Sequence, residues 1–121
     1  MLARIKQQRT QAAVAELFFL NELGDTAFHV ASGDEASVEV LKSMIGLAKL
    51  DSKKRNIQDI SDIGLRLPLH YNARYHPDPA AAKLLVRLHH PALLAKTKHG
   101  NAPLDHAIKY NKSPAVVSLL R

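Results

Sequence analysis

Seven histidines and no cysteine stand in the 121 residues, so any metal or proton chemistry would have to be carried by imidazole. His70 and His76 are six residues apart, and neither has a cysteine nor a second histidine four positions on to complete a ligand set. His89 and His90 are adjacent and on a helix would point in different directions. Beside a helix end and Pro91, their expected role is to meet the helix C-terminal dipole or solvent. Asp105 and His106 are also adjacent, so they do not form a facing acid–base pair. There is no nucleophile motif, no glycine-rich phosphate loop and no carboxylate pair on a recognisable scaffold. The residues therefore predict no metal, no cofactor and no catalytic centre.

Three stretches share a turn-then-helix grammar. Gly64 to Ala73 reads as a turn with a glycine free to take positive φ, followed by Pro68 at a first helical position, where its missing N–H costs nothing. The same pattern stands at Gly24-Asp25-Thr26-Ala27-Phe28-His29-Val30-Ala31 and at Gly100-Asn101-Ala102-Pro103-Leu104-Asp105-His106-Ala107. Around these, residues 3–19 form a helix with Ile5, Ala12, Ala13, Leu17 and Phe18 on a broad apolar face. Thr26 caps a short helix through Ala31, and residues 35–45 form a partner helix with Val38, Leu41 and Ile45 on one side. Residues 46–63 are the least regular, a helix extension running into a loop. Asp78-Pro79 launches a helix to about Leu88, with Leu84, Leu85 and Leu88 as its apolar positions, and Pro91 closes it. Pro103 opens a short helix to about Tyr110, and Ser113-Pro114 opens the last, carrying Val116, Val117, Leu119 and Leu120.

Helices of about eight to ten residues do not hold together alone in water, because nucleation costs more than so few residues of propagation recover. Their stability must be tertiary. Each pair has more apolar face than its own partner covers, so successive pairs must bury it against one another, which is the logic of a solenoid. The chain is thus an all-α, single-domain repeat. At 46% hydrophobic and 5% aromatic, its core is built from Leu, Ala, Val and Ile.

Leu67-Pro68-Leu69-His70-Tyr71-Asn72-Ala73 resembles the ankyrin repeat signature T-P-L-H-x-A, and residues 26–31 and 102–107 are weaker copies. The resemblance covers about residues 21–121. It implies an ankyrin-like solenoid of about three repeats, at 21–60, 61–97 and 98–121, led by the N-terminal helix at 3–19. In such repeats the Thr and His of the signature tie the helix start to neighbouring backbone, which gives Thr26, His29, Pro68, Leu69, His70, Pro103 and Leu104 structural roles. Only the first copy keeps both tying residues. The second has Leu67 for Thr, and the third has Ala102 and Asp105 for Thr and His. The glycine spacings of 40 and 36 residues place insertions around 46–56 and 88–94.

The resemblance also implies a protein partner bound through turn tips and first helices. The residues expected there are Asp25, Phe28, Arg66, Tyr71, Arg74, Asn101, Asp105, Lys109 and Tyr110, with Tyr71, Arg74 and Tyr110 foremost, since Tyr and Arg most often carry interface energy. Charge adds a direction. Residues 1–62 hold eight Lys/Arg against nine Asp/Glu, whereas residues 63–121 hold nine against two. The basic half favours an acidic partner or simply solvates helix surfaces. The alternative is a nucleic-acid-binding module in which Lys83, Arg87, Lys96, Lys98, Lys109 and Lys112 meet phosphates, though stacking aromatics are few. The run from Ala12 to Leu20 is broken by Glu16 and the N-terminal residues lack a signal-peptide order, so no membrane span and an intracellular location, cytoplasmic or nuclear, are expected. Four apolar residues on the last helix, with nothing after Arg121 to cover them, suggest either a fragment of a longer array or self-association through that helix.

Overall fold

The structure, a computed structural model, describes residues 2–34, 36–111 and 113–121, with side chains from residue 8 onward. Among the described residues it is all-helical: α1 (Leu2–Phe18), α2 (Ala27–Gly33), α3 (Val38–Ala48), α4 (Pro68–Tyr75), α5 (Pro79–Leu88), α6 (Pro103–His106) and α7 (Pro114–Leu120). Short 3-10 turns at Ile57–Asp59 and His90–Leu94, and a π-helical turn at Ala107–Asn111, complete the elements. No helix among the described residues is long and apolar enough to cross a membrane.

The helices pack in two rows. In one, α2 lies against α4 and α4 against α6; in the other, α1 lies against α3, α3 against α5 and α5 against α7. The core runs between the rows, with Phe28, Leu41, Ile57, Leu69, Ala73, Ala81, Leu85 and Val116 buried along it. No helix has to cover its own apolar face, because a neighbour from the next pair covers it.

Caps set the helix starts, at Thr26, Asp78 and Ser113 as expected and at Ser37 later than the start expected at residue 35. The Thr26 hydroxyl accepts from His29 N–H at 3.2 Å, Ser37 from Val40 N–H at 3.2 Å, and Asp78 from Ala80 N–H at 2.9 Å. Ser113 receives Val116 N–H at 3.5 Å, and prolines stand at the starts of α4, α5, α6 and α7. The α5 helix ends at Leu88, as expected. On α1 the buried positions are Val14, Leu17 and Phe18, whereas Ala12 is exposed and Ala13 half-buried. The expected face was rotated, because Val14, not Ala12, shares a stripe with Leu17 and Phe18 at the spacing of a helix that touches α3. The side chain of Ile5 lies outside the described residues. The expected helix extension past residue 45 runs three residues to Ala48 before the loop, as Leu47 and Ala48 continue the apolar face of Leu41 and Ile45.

Three turns precede α2, α4 and α6, and all three are built on one plan. Asn21, Asp62 and Thr97 each donate their N–H to the carbonyl four residues on, at 2.9–3.0 Å, and their carbonyl accepts the N–H three residues on. Their side chains also accept from backbone inside the turn: Asn21 from Leu23 and Asp25, Asp62 from Gly64 and Arg66, Thr97 from Asn101. Successive turns are stitched together, with Ile63 N–H on the Leu23 carbonyl at 3.0 Å and Lys98 N–H on the Gly64 carbonyl at 2.8 Å. The left-handed position is the same in each: Gly24 (φ +79°), Leu65 (φ +59°) and Gly100 (φ +82°). The expectation placed Gly64 at this position. The Asp62 side chain, holding Gly64 N–H and Arg66 N–H, sets the register instead, and an exposed leucine carries the positive φ.

The loop between α3 and α4 is held by a contact that no repeat pattern announced. Arg55 donates to Asp51 from Nε at 2.8 Å and Nη2 at 3.1 Å, and its guanidinium lies 4.1 Å from the centre of the Phe18 ring. The hydrogen bonds from Arg55 hold the Asp51 carboxyl well below the usual carboxylate range.

Candidate functional site

Each turn leads into a helix whose third residue after the cap reaches backward and sideways. His29 Nδ1 accepts from Thr26 N–H at 3.0 Å, which leaves the proton on Nε2 to donate to the Arg66 carbonyl in the next turn, also at 3.0 Å. His70 does the same, with Leu67 N–H at 3.0 Å and the Ala95 carbonyl at 2.8 Å. The threonine missing at position 67 costs this tie nothing, because the imidazole accepts from backbone rather than from the hydroxyl. At the third copy Asp105 Oδ2 accepts Ala102 N–H at 2.8 Å. Burial pushes both histidines below their ordinary pKa, so they stay neutral and keep one donor and one acceptor. Pro68, Leu69, Pro103 and Leu104 pack beneath these ties, the first three buried and Leu104 half-buried.

Between α2 and α4 two carboxylates meet one phenol. Tyr71 Oη lies 2.9 Å from both Asp25 carboxyl oxygens and 2.7 Å from Asp62 Oδ2. Asp62 also pairs with Arg66, Nε to Oδ2 at 2.8 Å. Burial and the neighbouring Asp62 push Asp25 up to about 6, whereas the backbone and Tyr71 hydrogen bonds bring Asp62 below the usual range against its burial. Burial and the two carboxylates raise Tyr71 far above an ordinary phenol.

These positions correct three of the expected contact residues. Phe28 is wholly buried, since its place after the α2 cap points into the core between the rows. Asp25 is 5% exposed and committed to Tyr71. Tyr71 is half-buried, and its hydroxyl is committed to the two carboxylates; its ring meets His29 edge-on at 5.6 Å. Asp25 and Tyr71 join the first turn to α4, and Phe28 belongs to the core.

The other expected residues converge. Arg66, Arg74, Asn101, Lys109 and Tyr110 line one open cleft of about 520 Å³ between the second and third turns, together with Lys98, His99 and His106. Asp105 stands beside it, exposed, its carboxylate turned to Ala102 N–H. The Arg74 guanidinium lies 4.0 Å from the centre of the Tyr110 ring and the Lys109 ammonium 5.3 Å from it, so one aromatic ring attracts two cations. His106 is 6% exposed, and neither ring nitrogen has a hydrogen-bond partner among the described residues. Burial, then the neighbouring His70 and the Arg74 and Arg66 cations, push it down to about 4. Arg74 Nε is buried and unpartnered as well.

Residue patterning pointed away from His106, because adjacency to Asp105 ruled out only one use of it. The signal that finds it is the π-helical turn after α6, which brings His106 and Tyr110 together, their ring centres 6.0 Å apart. Of the residues expected to meet phosphates, Lys98 and Lys109 border the cleft, Lys83 and Arg87 stand on α5, and Lys112 lies outside the described residues. Among the described residues, no group of three or more His, Asp and Glu is placed to hold a metal.

Compared with protein-family models the chain gives no match, and compared with curated protein sequences it gives none at a significant level.

Proposed function

We propose that the chain is a non-catalytic protein-interaction module of ankyrin type, which binds a partner inside the cell through the cleft formed by its turn tips and first helices. The observation that carries this reading is the threefold recurrence of one turn plan, each turn stitched to the next and followed by a helix locked through its third residue. Such stacking extends a ledge of turn tips beside the α2, α4 and α6 row, and half-buried Arg66 and Arg74 gather with exposed Tyr110 at one place on it. Tyr110 is 44% exposed and close to the Arg74 and Lys109 cations, the composition that favours a protein interface. Of the basic residues proposed for nucleic acid, Lys98 and Lys109 stand at this ledge and Lys83 and Arg87 on α5, a division that favours a compact protein contact over a phosphate track.

The test is selection of peptides displayed on phage against the immobilised chain, followed by affinity measurement against an Arg74→Ala/Tyr110→Ala double variant. Peptides that bind the chain and lose about tenfold or more against the variant, the loss of a typical hot-spot contact, support the reading. A chain that selects no peptide, yet binds generic duplex DNA with an affinity falling steeply with salt, overturns it in favour of the nucleic-acid module.

A further inference from the structure

The cleft between the second and third turns collects cations that have nothing to neutralise them. Arg66 is already paired with Asp62, but Arg74, Lys98 and Lys109 have no carboxylate partner among the described residues. Among the described residues no Asp or Glu lines the cleft; Asp62 is held by Arg66, and Asp105 is bonded to Ala102 N–H. Holding like charges together around a concavity costs free energy that the fold does not recover internally.

Two buried donors in the same cleft are also unspent. Neutral His106 must carry one N–H, and nothing accepts it; Arg74 Nε–H is likewise without an acceptor. A buried donor left unmade costs more than most formed hydrogen bonds contribute, so such groups mark places where a ligand completes the structure. The three cations call for negative charge, and the two donors call for acceptor oxygens. Both requirements are met by the same chemistry. The Tyr110 ring, stacked against Arg74 and close to His106, restricts the guanidinium before any ligand arrives, which lowers the ordering cost of binding.

We propose that this cleft is an oxyanion site that takes a phosphoryl or carboxylate group carried on a peptide partner, with Arg74, Lys98 and Lys109 supplying charge and His106 donating a hydrogen bond. The inference rests on the protein-binding reading for the carrier of the charge, and on the cleft alone for the charge itself. A guanidinium beside two ammonium groups suits phosphate and carboxylate alike, since both accept charge-assisted hydrogen bonds.

The experiment is a titration of the isotope-labelled full chain followed by NMR at constant ionic strength and pH 7, with four probes. These are inorganic phosphate, and blocked tripeptides of alanine flanking phosphoserine, glutamate or serine. The expected result is saturable shifts at the His106 ring, at Tyr110 and at the amides of residues 98–101 with the phosphoseryl or glutamyl peptide, and none with the seryl peptide. Response to phosphoserine alone makes the ligand a phosphoryl group; response to both makes it any peptide-borne oxyanion. Arg74→Gln and Lys109→Gln should each weaken binding about tenfold, the loss of one charge-assisted contact, while leaving the rest of the spectrum unchanged. Shifts that never saturate, that the seryl peptide reproduces, or that survive both variants overturn the site. Saturation by inorganic phosphate with no response to either charged peptide overturns the peptide carrier. Displayed peptides that bind Arg74→Gln as tightly as the parent chain, with all four probes silent, remove the oxyanion site and leave the partner-binding reading standing.

Discussion

Tyr71 offers one proton to two carboxylates. Its hydroxyl can satisfy one short contact, to Asp62 at 2.7 Å, and the 2.9 Å contact to Asp25 is complete only when Asp25 carries a proton of its own. Burial, with Asp62 beside it, pushes Asp25 up to about 6 from an ordinary 3.8 against the pull of the Tyr71 hydrogen bond. Because its folded pKa is raised, the stability it contributes is full below 3.8 and is lost as pH rises through about 6. Tyr71→Phe removes the shared donor from two buried acceptors and should destabilise the chain by about 1–3 kcal/mol in urea unfolding at neutral pH. A loss near zero would mean that water replaces the phenol without cost.

At the scale of the element, a helix of eight or ten residues is held by its ends and by its neighbours. His70 closes the start of α4 and reaches the Ala95 carbonyl, so His70→Ala strands Leu67 N–H and that carbonyl together. The expected cost is about 1–3 kcal/mol for each group that water cannot reach, read as a fall in the unfolding midpoint. Leu85, 2% exposed, is the central core residue of α5, where Ala81 and Ala82 leave little else to pack. Leu85→Ala should cost about 2–5 kcal/mol, a large part of a small domain's stability. Thermal melts showing almost no loss would place the α5 core elsewhere. On α7, Val116 and Leu120 are buried and Val117 and Leu119 half-buried, so this helix leaves less apolar surface than its sequence suggested.

For the whole molecule, acid stability is a contest between histidines and one aspartate. His29, His70 and His106 all lie below their ordinary 6.5 through burial, His106 at about 4. Each contributes stability that is full above 6.5 and is lost as pH falls toward its folded value. Asp25 works in the opposite direction across the same window. Three groups outweigh one, so the urea midpoint should be lower at pH 5 than at pH 7. In Asp25→Asn, which lacks the compensating proton uptake, the drop should be steeper than in the parent chain. A midpoint that holds or rises on acidification would show that the histidines are not kept neutral by the fold.

Much of this architecture was legible in residue types alone, where the cause is local. Thr26, Asp78 and Ser113 cap helices because a short polar side chain reaches the N–H groups of the first turn, and Pro68, Pro79, Pro103 and Pro114 start helices because they need no donor there. Repetition of that punctuation sufficed to predict stacked helices and their order. Packing decided the rest, since it depends on what stands across the interface. Phe28 and Tyr110 are both aromatic residues of a turn-and-helix unit, yet one is wholly buried and the other half-exposed, because Phe28 joins the core as the second residue of α2 whereas Tyr110 stands on the π-helical turn after α6. Asp25 and Tyr71, 46 residues apart, meet only once α2 lies on α4. His106 is adjacent to the wrong residue in sequence and among the right ones in space: the path of the chain after α6 brings it into the cleft with Arg74, Lys98 and Lys109, where its unspent donor and their unpaired charge acquire a common use.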